Sequence, residues 1–319
     1  MGGKYVIGID LGGTKINCAL SDFKGDIISQ SIISTKAYKG EEGVVNRIIG
    51  CIDNIIFDAK VDIYDIVSIG IGSPGPLDYK KGVIITTPNL PFKNFNIVQP
   101  ISNKYNIPTY LDNDANVAAL GEYVFGAGKN TNNMVYVTVS TGIGGGAIIN
   151  GNVYRGNTSN ALEVGHMTIN PNGPKCNCGN YGCAEALASG TAISKNAKKI
   201  VEQGKKTTLV KYDKITSYEV FKEAKKGDYE SLKIVNESLN YLGICIANIV
   251  SCFDPELILI GGGVSKAGDI VFDKVREVVN KRCFKTLSKS CRIDKAGLET
   301  DAGVKGAIAL ALIEKGIEI

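Results

Sequence analysis

The stretch Tyr5-Val-Ile-Gly-Ile-Asp-Leu-Gly-Gly-Thr-Lys-Ile-Asn-Cys-Ala-Leu20 decides the fold. Its two apolar runs flank a glycine-containing turn, a pattern that predicts strand, tight turn, strand. The pattern recurs about 130 residues later, where Met134 to Val139 leads through Ser-Thr-Gly-Ile-Gly-Gly-Gly into Ala147-Ile-Ile149. A solenoid would repeat every ~20–50 residues. The longer period therefore predicts two related lobes, each containing one strand–glycine turn–strand unit.

The remainder of the chain alternates helix and strand patterns, which is typical of a mixed α/β protein. Apolar spacing predicts helices over 44–57, 232–252 and 307–313, with Gly303 and Gly306 marking the start of the last one, and strands over 66–71, 109–111 and 257–260. We expect a small N-terminal lobe over residues 1–112, with a C-terminal helix of about 301–319 packing back on it. We expect a large lobe over residues 113–300.

Composition excludes several classes of protein. With 44% hydrophobic and 21% charged residues, the chain is an ordinary globular protein, and its 38 glycines must serve particular turns. The net charge is only +4 and the basic residues are scattered, so we expect neither a nucleic-acid nor a membrane partner. The amino terminus has no export signal, which predicts a cytoplasmic protein whose 9 cysteines are thiols or metal ligands rather than disulfides.

The glycine turns are candidates for phosphate binding. Glycine lets backbone N–H groups approach phosphate oxygens closely, and a carboxylate beside them can hold hydrated Mg²⁺. The first turn offers Asp10, Gly12, Gly13, Thr14 and Lys15, and the second offers Thr141, Gly142 and Gly144 without an acidic residue. A third set, Gly261, Gly262 and Gly263, follows a strand and can lie flat against a large ligand. The alternative for each is a plain turn.

The segment Asp112-Asn-Asp-Ala-Asn116 is the candidate catalytic segment. Asp or Asn at a strand-to-helix junction caps the helix, but a cap needs only one of these four polar side chains. A carboxylate held there can orient a sugar hydroxyl and accept its proton during phosphoryl transfer. We favour Asp114 over Asp112 as this base, although spacing alone does not choose between them.

The only histidine, His166, lies near Cys176, Cys178 and Cys183. Three thiolates and one imidazole form a closed ligand set for structural Zn²⁺, and a disulfide is the alternative. Glu163 and Glu185 flank this loop. They are either surface glutamates or acceptors for sugar hydroxyls on a rigid loop, in which case His166 can bind metal through one nitrogen and sugar through the other.

Together and in order, these segments resemble the sugar kinases of the ROK family (repressor, open reading frame, kinase), most closely its bacterial glucokinases. The resemblance rests on the segments named above and on Gly70-Ile-Gly-Ser-Pro-Gly-Pro-Leu-Asp78, Thr87-Pro-Asn-Leu-Pro91 and Glu163-Val-Gly-His166. It implies the actin-like ATPase fold, with two ribonuclease-H-like lobes. One departure is Leu162, because the family commonly has glycine immediately before the glutamate.

The resemblance also implies an ATP-dependent hexose kinase that phosphorylates the 6-hydroxyl of glucose. Asp114 would be the general base, and Asn113, Glu163, His166 and Glu185 would bind the other sugar hydroxyls. Asp10 would position Mg²⁺, the turns Gly12–Lys15 and Thr141–Gly144 would hold the ATP phosphates, and Gly261–Gly263 would border the adenosine.

Kinases for N-acetylmannosamine, N-acetylglucosamine or fructose use the same scaffold and remain alternatives. The family's sugar-sensing repressors carry a helix-turn-helix domain before the first glycine turn, and Asp10 lies close to the start of this sequence. We therefore expect a kinase rather than a repressor, assembled as a homodimer or homotetramer.

Overall fold

The computed structural model describes residues 4–87 and 89–317. Pro88 of the Thr87–Pro91 motif and residues 318–319 of the predicted C-terminal helix lie outside this range. The strands are β1 (Tyr5–Leu11), β2 (Lys15–Asp22), β3 (Ile27–Ser34), β4 (Ile66–Ser73), β5 (Leu77–Asp78), β6 (Val83–Thr86), β7 (Lys93–Asn96), β8 (Thr109–Asn113), β9 (Met134–Val139), β10 (Ile143–Ile149), β11 (Asn152–Val153), β12 (Leu257–Gly261) and β13 (Arg292–Lys295). The helices are α1 (Gly40–Ala59), α2 (Val98–Tyr105), α3 (Asp114–Phe125), α4 (Ala184–Ala188), α5 (Gly190–Glu202), α6 (Ser217–Lys225), α7 (Tyr229–Phe253), α8 (Asp269–Arg282), α9 (Lys285–Ser290) and α10 (Ala302–Glu314).

The first sheet brings the carboxyl ends of three parallel strands to one edge. Its order is β3-β2-β1-β4-β8, with β1, β2 and β3 antiparallel and β1, β4 and β8 parallel. The register places Asp10 opposite Gly72, and Gly72 in turn opposite Asp112. Parallel α/β sheets collect their ligand-binding side chains at this edge.

The second sheet repeats the arrangement of the first. Its order is β11-β10-β9-β12-β13, in which β12 runs parallel to both β9 and β13 and the turn 140–142 joins β9 to β10. The strand–glycine turn–strand unit predicted from sequence is therefore present twice. A small third sheet, β5-β6-β7, is antiparallel.

Two compact units divide the chain. The first comprises residues 4–87, 89–130, 146–161 and 297–317, and the second comprises residues 131–145 and 162–296. The predicted lobe division between residues 112 and 113 falls inside the first unit, since α3 packs against α10 there.

Helix α10 packs on β1, β4 and α3 within the first unit, at a distance that only glycine allows. A Cβ on Gly70 of β4 would lie 2.1 Å from the carbonyl oxygen of Ala307, and one on Gly306 would lie 1.8 Å from that of Val117. The prediction that Gly303 and Gly306 precede this helix was wrong. Both lie inside α10, where the missing side chains permit close packing.

The core of the first unit lies between its sheet and α1, which buries Val44, Ile48, Ile52 and Ile55 at helical spacing. In the second unit, α7 is the longest helix, and Asp228 caps it by accepting a hydrogen bond from the N–H of Ser231 at 2.9 Å. Across residues 4–87 and 89–317, no helix combines the length and apolarity needed to cross a bilayer.

Candidate active site

The first glycine turn is held rigidly by its own unit. The N–H of Gly12 donates to the carbonyl of Lys15 at 2.9 Å. Thr35, just after β3, donates from its hydroxyl to the carbonyl of Gly12 at 2.7 Å and from its N–H to the carbonyl of Thr14 at 2.9 Å. A Cβ on Gly13 would lie 2.7 Å from the Cβ of Asn89. The turn thus approaches a neighbouring loop closely and is held by hydrogen bonds within its own unit.

Asp10 ends β1 immediately before this turn, in surroundings that disfavour its charge. Burial and the negative charge of Asp114 raise the pKa of Asp10 to about 6, although Lys15 acts in the opposite direction. A nearby cation would stabilise the charged form of a carboxylate in this environment. Mg²⁺ prefers hard oxygen ligands such as the carboxylate oxygens of Asp10. The side chain therefore fits the predicted Mg²⁺ position.

Asn113 and Asp114 form the junction between β8 and α3. The side chain of Asn113 caps the helix, because its Oδ1 accepts from the N–H of Ala115 at 2.9 Å. Asp114 Oδ1 accepts from the same N–H at 2.8 Å. The Asp114 side chain remains exposed to solvent. Partial desolvation nevertheless raises the pKa of Asp114, and the backbone hydrogen bond acts in the opposite direction. A carboxylate of this kind is suited to accepting a proton.

Asp112 lies in a different environment from Asp114. This difference distinguishes the two aspartates, which spacing alone did not. Its side chain is completely buried, and its oxygens accept from the N–H of Asn113 at 2.7 Å, Nδ2 of Asn116 at 3.0 Å and Nε of Arg155 at 2.6 Å. A carboxylate with these three partners and no exposed surface is structural. Asp114 is therefore the accessible carboxylate of the segment.

The second glycine turn is supported by Glu185. Ser140 N–H donates to the carbonyl of Gly142 at 2.9 Å, which closes the turn. The N–H of Ile143 donates to Oε2 of Glu185 at 3.0 Å, and Glu185 lies in the first turn of α4. One oxygen of Glu185 therefore supports the turn predicted to bind phosphate. Thr141 lies inside this turn, and Gly144 follows Ile143 in β10.

His166, Cys176, Cys178 and Cys183 converge to form a candidate metal centre. One potential ligand atom from each residue lies within 4.8 Å of those of the other three. Cys178 Sγ lies 3.6 Å from Cys183 Sγ, and Cys176 Sγ lies 3.7 Å from Nδ1 of His166. Ligands at ~2.3 Å around a tetrahedral ion stand about 3.8 Å apart, so the separations and the donor set fit Zn²⁺. All nine cysteines are free thiols.

The loop that carries these ligands is built from close backbone contacts. Cys176 N–H donates to the carbonyl of Asn180 at 2.7 Å, and Gly182 N–H donates to that of Pro174 at 2.8 Å. Gly182 has φ +67°, and a Cβ there would lie 1.5 Å from the carbonyl oxygen of Asn170. Position 182 consequently accepts only glycine.

Glu163 lies on the exposed side of a tight turn that precedes His166. Val164 N–H donates to the carbonyl of Leu162 at 2.6 Å, and His166 N–H donates to that of Glu163 at 3.0 Å. Leu162 is buried and has φ +64°, a left-handed conformation in which glycine carries no steric penalty. This chain accommodates leucine in a backbone conformation that favours glycine.

The three glycines were expected to follow a strand; Gly261 is the last residue of β12, and Gly262 and Gly263 follow it. Gly262 has φ +84°, and a Cβ there would lie 2.5 Å from the carbonyl oxygen of Val139. Ser265 Oγ donates to the carbonyl of Gly262 at 2.8 Å. The glycines thus let β12 turn tightly against the end of β9, next to the second glycine turn.

Each unit assembles one group of the predicted residues. The first unit contains the group Asp10, Gly12, Gly13, Thr14, Lys15, Asn113 and Asp114, and the second contains the group Thr141, Gly142, Gly144, Glu163, His166, Cys176, Cys178, Cys183, Glu185, Gly261, Gly262 and Gly263. Sequence reasoning missed the supporting roles of Thr35 and Arg155, since their partners lie 23 and 43 residues away and no local pattern marks them.

The comparisons with known proteins match nearly the whole chain. Residues 6–314 match the model of the ROK family. A glucokinase of Halalkalibacterium halodurans is 35% identical, over 96% of this chain and 94% of that protein. A xylose repressor of Caldicellulosiruptor bescii is 34% identical, over 96% of this chain and 78% of the repressor.

A solved structure agrees with these sequence matches. The structure of a ROK family glucokinase from Streptomyces griseus in complex with glucose and AMPPNP superposes with a TM-score of 0.80, at 31% identity, and covers 96% of this chain and 99% of that one. The duplicated sheets described above are those of the same architecture. The chain therefore belongs to the ROK family and has the actin-like ATPase fold of the family's sugar kinases.

Proposed function

We propose that the protein is an ATP-dependent hexose kinase that transfers the γ-phosphoryl group to the 6-hydroxyl of its sugar, with glucose as the expected substrate. The observation that carries this proposal is Asp114, an accessible carboxylate with a raised pKa at the start of α3. A base with a pKa nearer neutrality accepts a proton more readily while remaining ionised at working pH. The similar glucokinases of H. halodurans and S. griseus support the same activity.

In this mechanism, Asp114 accepts the proton of the 6-hydroxyl as that oxygen bonds to the γ-phosphorus of ATP, while the bond from that phosphorus to the β–γ bridging oxygen breaks and ADP leaves with its electron pair. The hydrogen bond from the N–H of Ala115 to Asp114 Oδ1 limits rotation of the carboxylate. Asn113 caps the same helix end with its Oδ1 and directs its amide nitrogen towards Gly75. The base and the proposed sugar-binding amide are therefore held by one rigid helix terminus.

Glu163, His166 and Glu185 are the other proposed ligands of the sugar hydroxyls. His166 directs Nδ1 at Cys176, which leaves Nε2 as the ring nitrogen for a sugar hydroxyl. His166, Cys176, Cys178 and Cys183 would hold Zn²⁺, which supplies structural rigidity when bound. Carboxylates on a rigid loop bind hydroxyls at a small entropic cost.

Asp10 would hold Mg²⁺, which neutralises charge on the transferring phosphoryl group when bound. The backbone of Gly12–Lys15 would bind ATP phosphates, with further donors from the side chains of Thr14 and Lys15. The turn Thr141–Gly144 would also bind ATP phosphates, and Gly261–Gly263 would border the adenosine.

A sugar panel with a paired variant tests the proposal. Initial rates with Mg-ATP are measured for glucose, fructose, mannose, N-acetylmannosamine, N-acetylglucosamine and xylose, and NMR identifies the phosphorylated oxygen. We expect turnover on a hexose at O6, and a fall in kcat of about 10²–10⁴-fold in Asp114→Asn, the range for loss of a general base. Asp269, also the first residue of a helix and exposed, provides the matched control Asp269→Asn.

Near-normal turnover of Asp114→Asn would show that Asp114 is not the base. Preference for an N-acetylated hexosamine or for fructose would retain the kinase and replace glucose. Loss of activity in both Asn variants would indicate a general effect of the substitution.

A sugar-sensing repressor is the second candidate, because the match to the C. bescii xylose repressor is as strong as the match to glucokinases. A sensor needs a sugar pocket but no base and no phosphate-binding turns. Xylose in its pyranose form has no 6-hydroxyl, so binding of xylose without turnover of any hexose would favour the sensor. Sequence-specific DNA binding released by sugar would establish it.

A further inference from the structure

A single guanidinium, that of Arg155, joins three parts of the first unit. Its Nε lies 2.6 Å from Asp112 Oδ2 at the end of β8, and its Nη2 lies 2.7 Å from Glu314 Oε1 at the end of α10. Its carbon Cζ also lies 4.4 Å from the ring centroid of Tyr79, which follows β5. The side chain is only 17% exposed. Arg155 is thus fixed by two carboxylates and one aromatic face.

The position of Asp112 depends on this guanidinium. Among the described residues, Arg155 is the ion-pair partner of Asp112, whose side chain has no exposed surface. A buried carboxylate that loses its cation becomes an uncompensated charge, which draws water inward or moves the side chain outward. Either change would disturb the two hydrogen bonds that Asp112 Oδ1 accepts, from Asn113 N–H and from Asn116 Nδ2.

Those two hydrogen bonds bracket the proposed base. Asn113 immediately precedes Asp114 and caps α3, and Asn116 lies in the first turn of the same helix. A displacement of about 1 Å at a reacting group can lower a rate by ~10²-fold. We infer that Arg155 is a positioning residue, which through Asp112 holds Asn113 and Asp114 in the geometry needed for proton transfer; this inference rests on the proposed kinase function.

Arg155→Met tests this role, because methionine retains the apolar stem and removes the charge. Initial rates are measured with the best sugar of the panel while ATP and sugar are varied separately. We expect kcat to fall at least tenfold while KM for ATP stays within twofold, because the ion pairs and ring contact of Arg155 among the described residues are with Asp112, Glu314 and Tyr79 rather than with the turns proposed to bind phosphate. A purely structural role would lower the melting temperature without this division between kcat and KM.

Glu314→Gln is the matched control. It removes the charge at the other end of the guanidinium and leaves the pair between Arg155 and Asp112 in place. We expect its kcat to stay within twofold of wild type, although its thermal stability falls. Arg155→Lys keeps a positive charge near Asp112 but lacks the planar group that reaches both carboxylates, so its kcat should lie between those of Arg155→Met and wild type.

The possible results distinguish failure of the positioning role of Arg155 from failure of the proposed kinase function. Wild-type kcat in Arg155→Met, or an equal fall in kcat in Glu314→Gln, would overturn the inference while leaving the kinase function intact. If Arg155→Met does not fold, Arg155→Lys decides alone: reduced kcat at unchanged KM for ATP supports the inference, and wild-type kcat overturns it. Absence of turnover in the wild-type protein would overturn the proposed function, and this inference with it.

Discussion

Replacement of Gly303 by alanine separates the stability of the fold from its proposed catalytic activity. Gly303 is the second residue of α10, and a Cβ there would lie 2.6 Å from both Cγ and Oδ2 of Asp10. An ordinary contact between such atoms needs ~3.5 Å, so one side must move by about 0.9 Å. The backbone of α10 is fixed by its contacts with β1, β4 and α3, and the Asp10 carboxylate is therefore the group that moves.

Two effects of opposite sign follow from Gly303→Ala. Alanine gains up to ~1 kcal/mol over glycine in a helix, so stability should change little or rise. A shift of about 1 Å in the carboxylate proposed to hold Mg²⁺ should lower kcat by ~10- to 100-fold. We expect a higher Mg²⁺ concentration for half-maximal activity, because the ligand no longer has its optimal position.

The assay follows ADP release at saturating sugar and ATP while Mg²⁺ is varied, beside a urea unfolding curve for each variant. Gly50→Ala is the control, because Gly50 lies within α1 and a Cβ there would have no heavy atom within 4 Å. It should gain the same ~1 kcal/mol of helix stability and keep wild-type kcat. Wild-type kcat and Mg²⁺ dependence in Gly303→Ala would refute the reasoning.

Two further predictions concern Asp10 and the metal centre. Since the pKa of Asp10 is raised to about 6 in the folded protein, folding favours its protonated form, and this unfavourable contribution to stability develops as pH rises from about 4 to about 6. Asp10→Asn should therefore be more stable than wild type above pH 6, by at most ~3 kcal/mol, with the difference disappearing below pH 4, in unfolding curves measured without Mg²⁺; equal stability at pH 7.5 would contradict this. Purified protein should contain one Zn²⁺ per chain, and Cys183→Ser should lose that metal and several degrees of melting temperature, whereas Cys252→Ser, at an exposed thiol outside the cluster, should not; unchanged stability in a strong chelator would count against a structural metal.

Local patterns were sufficient for the fold class and for most elements. Alternating and helical apolar spacing located β1, β2, β4, β9 and β12 to within a few residues, because burial on one face imposes those periods. The helix predicted over 232–252 extends over Tyr229–Phe253, since Asp228 caps it four residues earlier than the apolar pattern begins. Gly303 and Gly306 misled the prediction, because glycine at a close helix contact has the same sequence signature as glycine at a helix end.

The candidate site was only partly predictable, for a different reason. His166 and the three cysteines stand close together in sequence, and the structure brings them together in space. The distinction between Asp112 and Asp114 depends on Arg155, and the support of Ile143 depends on Glu185. These contacts join residues 42 or 43 positions apart, and no spacing rule in a single sequence specifies such pairs.

The packing of α10 has a consequence for the order in which the chain can mature during synthesis. Domains generally fold as they leave the ribosome, the amino-terminal one first. Here the apolar face of β1 and β4 is covered by Val304, Ile308 and Ala311, which are made after residues 162–296 of the second unit. We expect residues 131–145 and 162–296 to become resistant to protease on nascent chains before residues 4–130 and 146–161 do, so the unit whose translation starts first would be the last to complete its core.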